Sequence, residues 1–478
     1  MPINHSIFTP NFKTDHCGVI VCVDRIGNGK NCDPVRQKKG FVSPIYKRGS
    51  RSSSNNYRPV VLMSCLGKVL EAVIRKKFMD HLTLILPENM FGFQAGKSTG
   101  DAIAAVLDKV NLLRSQGLKT CLLSMDASCA FDLVSHDLIL GSLKRLGIGK
   151  RMLNWVESFL SDCSLSVKIN NQLSSSWTPD IGAGQGRRFS PDLYNISTLT
   201  AVLWCLTAAL SVGFADDGMD VVSGMTIEEC ERNAQQVLEA RKEWHDCAGL
   251  ALNPEKTGYM GIGFDPKPLV LDGTIIYASS SLKFLGITLQ SNSSWDKTIE
   301  NLCNRIRIAA SRIRTEGRFF DCWDRKKLYN GWILGPLHAS ALAFLPTLNS
   351  SQLNNLQVAM NAGVRAVANL PKYGHFNLTE IRTHLGIQSV VQIKEKVILQ
   401  AAWKRRDQYQ ELNQSLSGPS TRSRAKGNVP HPIRKGPLNK MISTSLSCGW
   451  NRLPITIKFE EDAKKAKRMI AEFVCKLS

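Results

Sequence analysis

The chain has 478 residues, 43% of them hydrophobic, which suffices for two or three packed units and excludes a small disulfide-stapled domain. Lys and Arg number 61 against 40 acids, a formal charge of +21, so a polyanionic partner is favoured, with nucleic acid ahead of an anionic membrane surface. The 14 cysteines form no C-x-x-C pair and no zinc-knuckle spacing; reduced intracellular thiols are expected, and a structural zinc is not.

Residues 1–40 show no sustained period and read as a poorly packed segment, and Met1 to Asn11 lacks the basic-then-apolar layout of a secretory signal. No acid occurs between Asp33 and Glu71, whereas Lys47, Arg48, Arg51, Arg58 and Lys68 do, an electrostatic footprint for phosphates. Apolar spacing predicts helices over Leu66–Leu82 and Gly100–Ser115, the second burying Ile103, Val106, Leu107, Val110 and Leu113. The apolar strand Cys121–Asp126 ends in an acid and is followed by Ala130-Phe131-Asp132. Helices are then expected over Leu138–Leu146 and Met152–Leu160, a strand over Leu165–Asn171, and a glycine-rich loop at Gly182-Ala183-Gly184-Gln185-Gly186.

No charge occurs from Leu193 to Ala215, and then Asp216, Asp217 and Gly218 arrive together before the short, mostly apolar piece Met219–Val222. That pattern predicts strand, turn and returning strand, with the turn at Asp-Gly because glycine accepts the left-handed conformation. The uncharged runs ending at Ala215 and spanning Leu328–Val364 reach membrane-span length, but Asn195, Thr198 and Thr207 interrupt the first and Pro336, His338 and Pro346 the second. Buried helices and strands account for both, and no membrane partner is expected. A helix follows over Ile227–Cys247, then a turn at Asn253-Pro254 with Lys256 behind it, and a strand at Leu282–Ile287. Trp295 to about Pro371 is largely helical with Arg305, Arg307, Arg312 and Arg314 on its first segment. Past a further helix at Ile393–Ala402 the chain turns loop-rich and basic, with no acid between Glu411 and Glu460.

Three motifs in this order, Asp126 with Ala130-Phe131-Asp132, Gly182-Ala183-Gly184-Gln185-Gly186 with Ser190-Pro191, and Phe214-Ala215-Asp216-Asp217, resemble the palm motifs of reverse transcriptases. Asn56-Tyr57-Arg58-Pro59, Phe91-Gly92-Phe93-Gln94-Ala95-Gly96-Lys97 and Trp450-Asn451-Arg452-Leu453-Pro454 resemble segments of the non-LTR retrotransposon group in particular. The resemblance implies an α+β right-hand polymerase: fingers and palm over 41–290, a helical thumb over 291–371, and a helical and loop-rich basic C-terminal extension over 372–478. The implied reaction is RNA-directed DNA synthesis, with an RNA template, a DNA primer and deoxynucleoside triphosphates as partners. Two Mg2+ ions, with Mn2+ as a substitute, would be held by Asp126, Asp216 and Asp217. Strand alternation ranks Asp217 below Asp216. The resemblance further assigns Phe131 as a steric gate against a ribose 2′-OH and Lys256 as the acid for the leaving pyrophosphate. Gln185 and Gly186 would line nucleotide and template, and Lys47, Arg58 and Lys97 would contact phosphates. An intracellular location, nucleus and cytoplasm, follows from that role.

The chain departs from the family pattern at four positions. Gln94 stands where Arg is usual, Gly184 where Pro is usual, and Arg187-Arg188 where the family has Ser and an apolar residue. If both arginines point inward, they crowd the nucleotide, and Gly184→Pro, Arg187→Ser and Arg188→Val should raise activity. Two alternatives stay open at this point: a catalytically decayed copy that only binds nucleic acid, and a related polymerase such as an intron maturase or telomerase subunit.

Overall fold

The computed structural model describes residues 39–476, apart from 83–84, 127–129, 162, 205–207, 416–421, 431–436 and 438–439. The expectation for residues 1–38 therefore lies outside the described residues. The basic N-terminal stretch folds as a hairpin, β1 (Lys39–Tyr46) and β2 (Tyr57–Leu62), in register from Phe41↔Leu62 to Tyr46↔Tyr57. Val42 and Val61 are buried while their strand neighbours are exposed or half-buried, so one face of the ribbon packs and the cations stay in solvent. Helix α1 (Cys65–Leu82) follows, then α2 (Thr99–Ser115), which starts on a capping box between Ser98 and Asp101.

Next comes β3 (Lys119–Asp126), whose two faces enter different cores. Leu122 packs into the cluster with Val106 and Val110 of α2, and Cys121, Leu123 and Met125 pack into the opposite one. A strand buried on both faces reads as a continuous apolar run, which is the run seen in the sequence. Helices α3 (His136–Arg145) and α4 (Lys150–Leu160) and strands β4 (Ser164–Ile169) and β5 (Gln172–Leu173) follow, β4 joining β1 in parallel. The long uncharged run divides into helix α5 (Ser190–Trp204) and strand β6 (Leu210–Phe214). Strand β7 (Asp217–Gly224), helix α6 (Ile227–Cys247) and strand β8 (Gly258–Gly261) complete an antiparallel sheet of order β6-β7-β3-β8.

Helix α2 covers one face of this sheet and α6 the other. On β7, Met219 and Val221 belong to the α2 face, while Val222 belongs to the α6 face. Asp220 also lies on the α6 side, fully buried and paired with Arg241 of α6 at 2.5 Å. Breaking a buried pair of this kind costs about 3–5 kcal/mol, because the survivor is left charged and dry. It fixes β7 against α6, immediately behind the hairpin that carries Asp216 and Asp217.

Two small hairpins follow, β9 (Leu269–Leu271) with β10 (Thr274–Ile276) and β11 (Ser281–Phe284) with β12 (Ile287–Gln290). Beyond them the chain is helical: α7 (Asp296–Glu316), α8 (Cys322–Tyr329), α9 (Gly335–Phe344), α10 (Ser350–Val367), α11 (Leu378–Leu385) and α12 (Val390–Lys404). The described part of the basic C-terminal stretch is packed more tightly than its composition suggests. Helix α13 (Ile442–Arg452) docks on α2, whose Asp108 caps it by accepting from the backbone N–H groups of Ile442 at 2.5 Å and Ser443 at 2.9 Å. Trp450 is fully buried, its indole donating to the Gly427 carbonyl, and helix α14 (Ala463–Lys476) closes that core with Ala466, Ile470 and Val474.

Candidate active site

The acid pair sits where two strand ends meet, but its turn differs from the expected one. The two-residue turn is Ala215-Asp216, Phe214 pairs with Asp217, and Gly213 pairs with Gly218. Ala215, not Gly218, takes the left-handed conformation, at φ 57°. The turn thus moves two residues back, from Asp217-Gly218 to Ala215-Asp216, and Asp217 opens β7, because the ladder with β3 continues to Asp217↔Asp126. Asp216 is exposed at the tip and Asp217 half-buried. The Asp126 side chain lies outside the described residues; its backbone stands directly opposite Asp217. Directly opposed positions of an antiparallel pair belong to one sheet face, so the register assigns Asp217 and Asp126 to the same face. The described carboxylates here, those of Asp216 and Asp217, are oxygen donors, the kind that suits hard divalent cations.

The segment Glu88–Lys97 clamps the open edge of this hairpin. Phe91 N–H donates to the Gly213 carbonyl at 2.8 Å, Gly213 N–H to Asn89 at 3.1 Å, and the Asn89 amide to the Ser211 carbonyl at 2.6 Å. A Cβ on Gly92 would lie 2.4 Å from the Ala215 nitrogen, so only glycine fits against the turn. The Gly92 carbonyl is held by Asn195 of α5 at 2.8 Å. Lys97, expected on a phosphate, donates instead to the carbonyls of Glu88 and Met90 at 2.9 and 2.8 Å, and burial lowers its pKa. Gln94 likewise donates to Met90. Both side chains brace this segment.

Phe131 is stacked on Tyr194 of α5 at 4.3 Å between ring centroids and meets Phe93 edge-on at 5.8 Å. Tyr194 is 2% exposed, which makes it a rigid backing for the half-buried Phe131. Tyr194 carried no mark in the sequence and Phe93 was quoted only as part of a motif, since an aromatic near a glycine or in an apolar helix carries no local mark of a partner forty or sixty residues away.

The glycine loop passes between Phe131 and β2. Gly182, Gly184 and Gly186 have φ of 89°, 72° and 97°. A Cβ at Gly186 would stand 2.8 Å from the Val61 carbonyl oxygen, and one at Gly182 the same distance from that of Asp132. Val61 N–H donates to the Gln185 carbonyl at 2.6 Å, and the Gln185 amide donates to the Asp132 carboxylate at 3.0 Å. Burial pushes the Asp132 carboxyl above its ordinary pKa, while Lys47, Gln185 and Arg58 pull it back. Lys47, Arg58 and Gln185 are thus gathered around Asp132, a residue quoted from sequence only as part of a motif.

Arg187 reaches to α1 and α4. Its guanidinium lies 3.4 Å over the Phe159 ring, donates to the Phe159 carbonyl at 3.0 Å and pairs with Glu71 of α1 at 3.4 Å. Burial lowers its pKa and the Glu71 charge opposes that shift. Arg188 is exposed, and its backbone N–H donates to the same Glu71 carboxylate at 2.6 Å. The inward reading of the two arginines is therefore corrected for Arg187, and the left-handed Gly184 excludes the proline of the family pattern, whose ring fixes φ near −65°. Glu71 thus ties α1 to this loop through Arg187 and Arg188. A second tie, Arg75 to Asp192 at 2.5 Å, joins α1 to the start of α5. Lys256 is exposed in the turn before β8, and the pairing of Gly258 with Ser124 puts that turn at the Asp126 end of the sheet.

The sequence matches the family described as "Reverse transcriptase (RNA-dependent DNA polymerase)" over residues 38–289, more than half of the chain and every element of this site. The chain belongs to the reverse transcriptase family. It is 27% identical to a probable RNA-directed DNA polymerase from transposon BS of Drosophila melanogaster, over 71% of this chain and 39% of that protein. To the RNA-directed DNA polymerase of the mobile element jockey, also from Drosophila melanogaster, it is 24% identical over 71% of this chain and 38% of that one. This reverse transcriptase chain thus spans well under half the length of these relatives. Among solved structures, the telomerase of Candida tropicalis in complex with a fragment of telomeric RNA covers 93% of this chain and 65% of its own, at 13% identity and a TM-score of 0.45. Among the described residues, no helix is long and apolar enough to cross a membrane.

Proposed function

We propose that this chain is the RNA-directed DNA polymerase of a non-LTR retrotransposon, extending a DNA primer on an RNA template. The observation that carries this reading is the register that sets Asp217 opposite Asp126 with Asp216 in the adjoining turn. In the division we propose, 41–290 form fingers and palm, 291–371 the thumb and 372–478 a C-terminal extension.

Asp126, Asp216 and Asp217 are the residues that would hold two divalent cations, magnesium by preference. Such a pair, when bound, activates an attacking oxygen and stabilises a leaving one. The chain's own groups do the rest. Lys47 and Arg58 attract the triphosphate, and Asp132 holds the Gln185 amide so that the loop backbone at Gly186 lies flat beneath the nucleotide and template. Phe131, backed by Tyr194 and Phe93, takes up the space a ribose 2′-OH needs, which selects deoxynucleotides. Lys256, at the same end of the sheet, donates a proton to the departing pyrophosphate. Lys97 is reassigned from phosphate contact to bracing the segment against the catalytic turn. The working compartment is intracellular, nucleus and cytoplasm, where RNA template and target DNA are met.

The test is primer extension by the purified chain on an RNA template with all four deoxynucleotides and magnesium. Template-dependent DNA product supports the reading. A chain that retains the primer-template but adds no nucleotide under any divalent metal contradicts it and leaves a nucleic-acid-binding role.

A further inference from the structure

The far end of the helical unit carries a group of aromatic rings that no packing requirement explains. Helices α7 and α10 run side by side in the same direction: Gln352 donates to Asp296 at their starts, Cys303 to the Asn355 carbonyl further along, and Arg314 to the Leu370 carbonyl at their ends. Their C-terminal connections, Gly317–Asp321 and Pro371–Asn377, therefore emerge together, roughly 30 Å along α7 from the hairpin it leaves, at 1.5 Å rise per residue. Arg365 ties the second connection down through the Gly374 carbonyl at 3.5 Å.

Five large rings are exposed here: Phe319 at 81%, Tyr373 at 79%, Trp323 at 58%, Phe320 at 47% and Phe376 at 37%. Three of them carry a cation on the ring face. Arg318 lies 4.5 Å from the Phe319 centroid, Lys372 5.1 Å from that of Tyr373, and Lys326 5.2 Å from that of Trp323. The nearby acids are occupied locally: Glu316 with Arg312, Asp324 with Lys327, Asp321 capping α8 and Glu380 accepting from Asn377. Among the described residues, Arg318, Lys326 and Lys372 make no ion pair.

We propose that this surface is a stacking site for single-stranded nucleic acid, separate from the polymerisation site. A π face and an unpaired cation within about 5 Å match the two halves of a nucleotide, a base to stack and a phosphate to neutralise, and such platforms are tolerant of sequence. An apolar protein partner would call for aliphatic side chains, and along the chain none of the rings adjoins an exposed Leu or Val: the sequence neighbours are Arg, Lys, Asp, Cys, Gly, His and Asn. The three cations also make an acidic strand a better fit than a basic peptide. The site rests on the thumb-end geometry alone and stands or falls independently of catalysis.

The experiment compares the wild-type chain with Phe319→Ala/Phe320→Ala/Trp323→Ala/Tyr373→Ala in binding a labelled, unstructured oligo(dT) single strand and a blunt duplex of equal length. Single-strand affinity should fall at least about tenfold, the loss expected for removing stacking rings, while duplex affinity and melting temperature stay within twofold and 2 °C, roughly the scale of a neutral surface change. The variant Trp323→Phe/Tyr373→Phe, which keeps the rings, should bind the single strand as wild type does. Unchanged single-strand affinity in the alanine variant overturns the proposal. So does an equal loss for duplex and single strand, or a loss of self-association with nucleic-acid binding intact, which would make the patch a protein interface.

Discussion

At the scale of single residues, the informative positions are those where the chain departs from its family. Arg187 is held by Glu71, by the Phe159 ring and by the Phe159 carbonyl, and Gly184 has a φ no proline adopts. Restoring the family pattern with Gly184→Pro, Arg187→Ser and Arg188→Val should therefore lower extension and destabilise the chain, by about 3 kcal/mol or more for the stranded Glu71 charge and the broken backbone conformation. Denaturant unfolding of the triple variant checks this. A variant as stable as wild type and more active would return Arg187 to the nucleotide site. Phe131 gives a second residue-scale expectation. Phe131→Ala should leave DNA synthesis measurable and raise ribonucleotide incorporation by about tenfold or more, about 1.4 kcal/mol of lost discrimination. Competition between a deoxynucleotide and its ribonucleotide in single-turnover extension reads it directly, and an unchanged ratio would make Phe131 a packing residue.

At the scale of elements, most helices were legible because their periodicity is strong: α6 begins and ends where the apolar spacing places it, Ile227 and Cys247. The strands β3 and β7 were legible as apolar runs. What sequence did not carry was pairing. The Asp126↔Asp217 register, the Phe131–Tyr194 stack and the Glu71–Arg187 tie each join residues more than sixty positions apart, and no local spacing encodes a contact at that separation. The Asp-Gly signal misplaced the turn by two residues because the β3 ladder, a tertiary constraint, outweighed glycine's local preference. The basic C-terminal stretch misled in the other direction: its charge suggested loop, while Trp450 and Ile470 bury a core beneath it. Lys458 belongs to that core, donating to the Lys426 carbonyl and to Asn428, and burial pushes its amine down to about 8. An unfolded lysine titrates near 10.4. Between those two values the unfolded chain holds a proton that the folded chain has released, so this group makes stability rise with pH across that window. The stability difference between wild type and Lys458→Met should shift in favour of wild type from pH 7.5 to pH 10. A difference that stays flat with pH would mean that Lys458 keeps its ordinary titration.

At the scale of the whole molecule, the charge of +21 and the distribution of its cations would set the grip on nucleic acid in the proposed function. Lys47 and Arg58 of the β1–β2 hairpin stand near Asp132 beside the glycine loop, and Arg305, Arg307, Arg312 and Arg314 lie on α7. If about six phosphates are neutralised, affinity for primer-template should fall by roughly three orders of magnitude between 50 and 200 mM salt. Filter binding across that range measures the slope, and a flat profile would assign the charge to solubility alone. In the proposed function the grip and the chemistry are carried by different groups: cations would hold the strand, while the acids at the β3 and β7 ends would serve the reacting oxygens.

That separation is what the central claim requires, and Asp216→Ala tests it most directly, because Asp216 is exposed at the turn and its loss removes no packing. Primer extension and primer-template affinity are measured on the same preparation. Extension should be abolished while affinity stays within about twofold of wild type, since a carboxylate adds nothing to a phosphate grip. Extension that survives the substitution, or affinity that falls in step with it, would contradict the assignment of Asp216 to the catalytic centre.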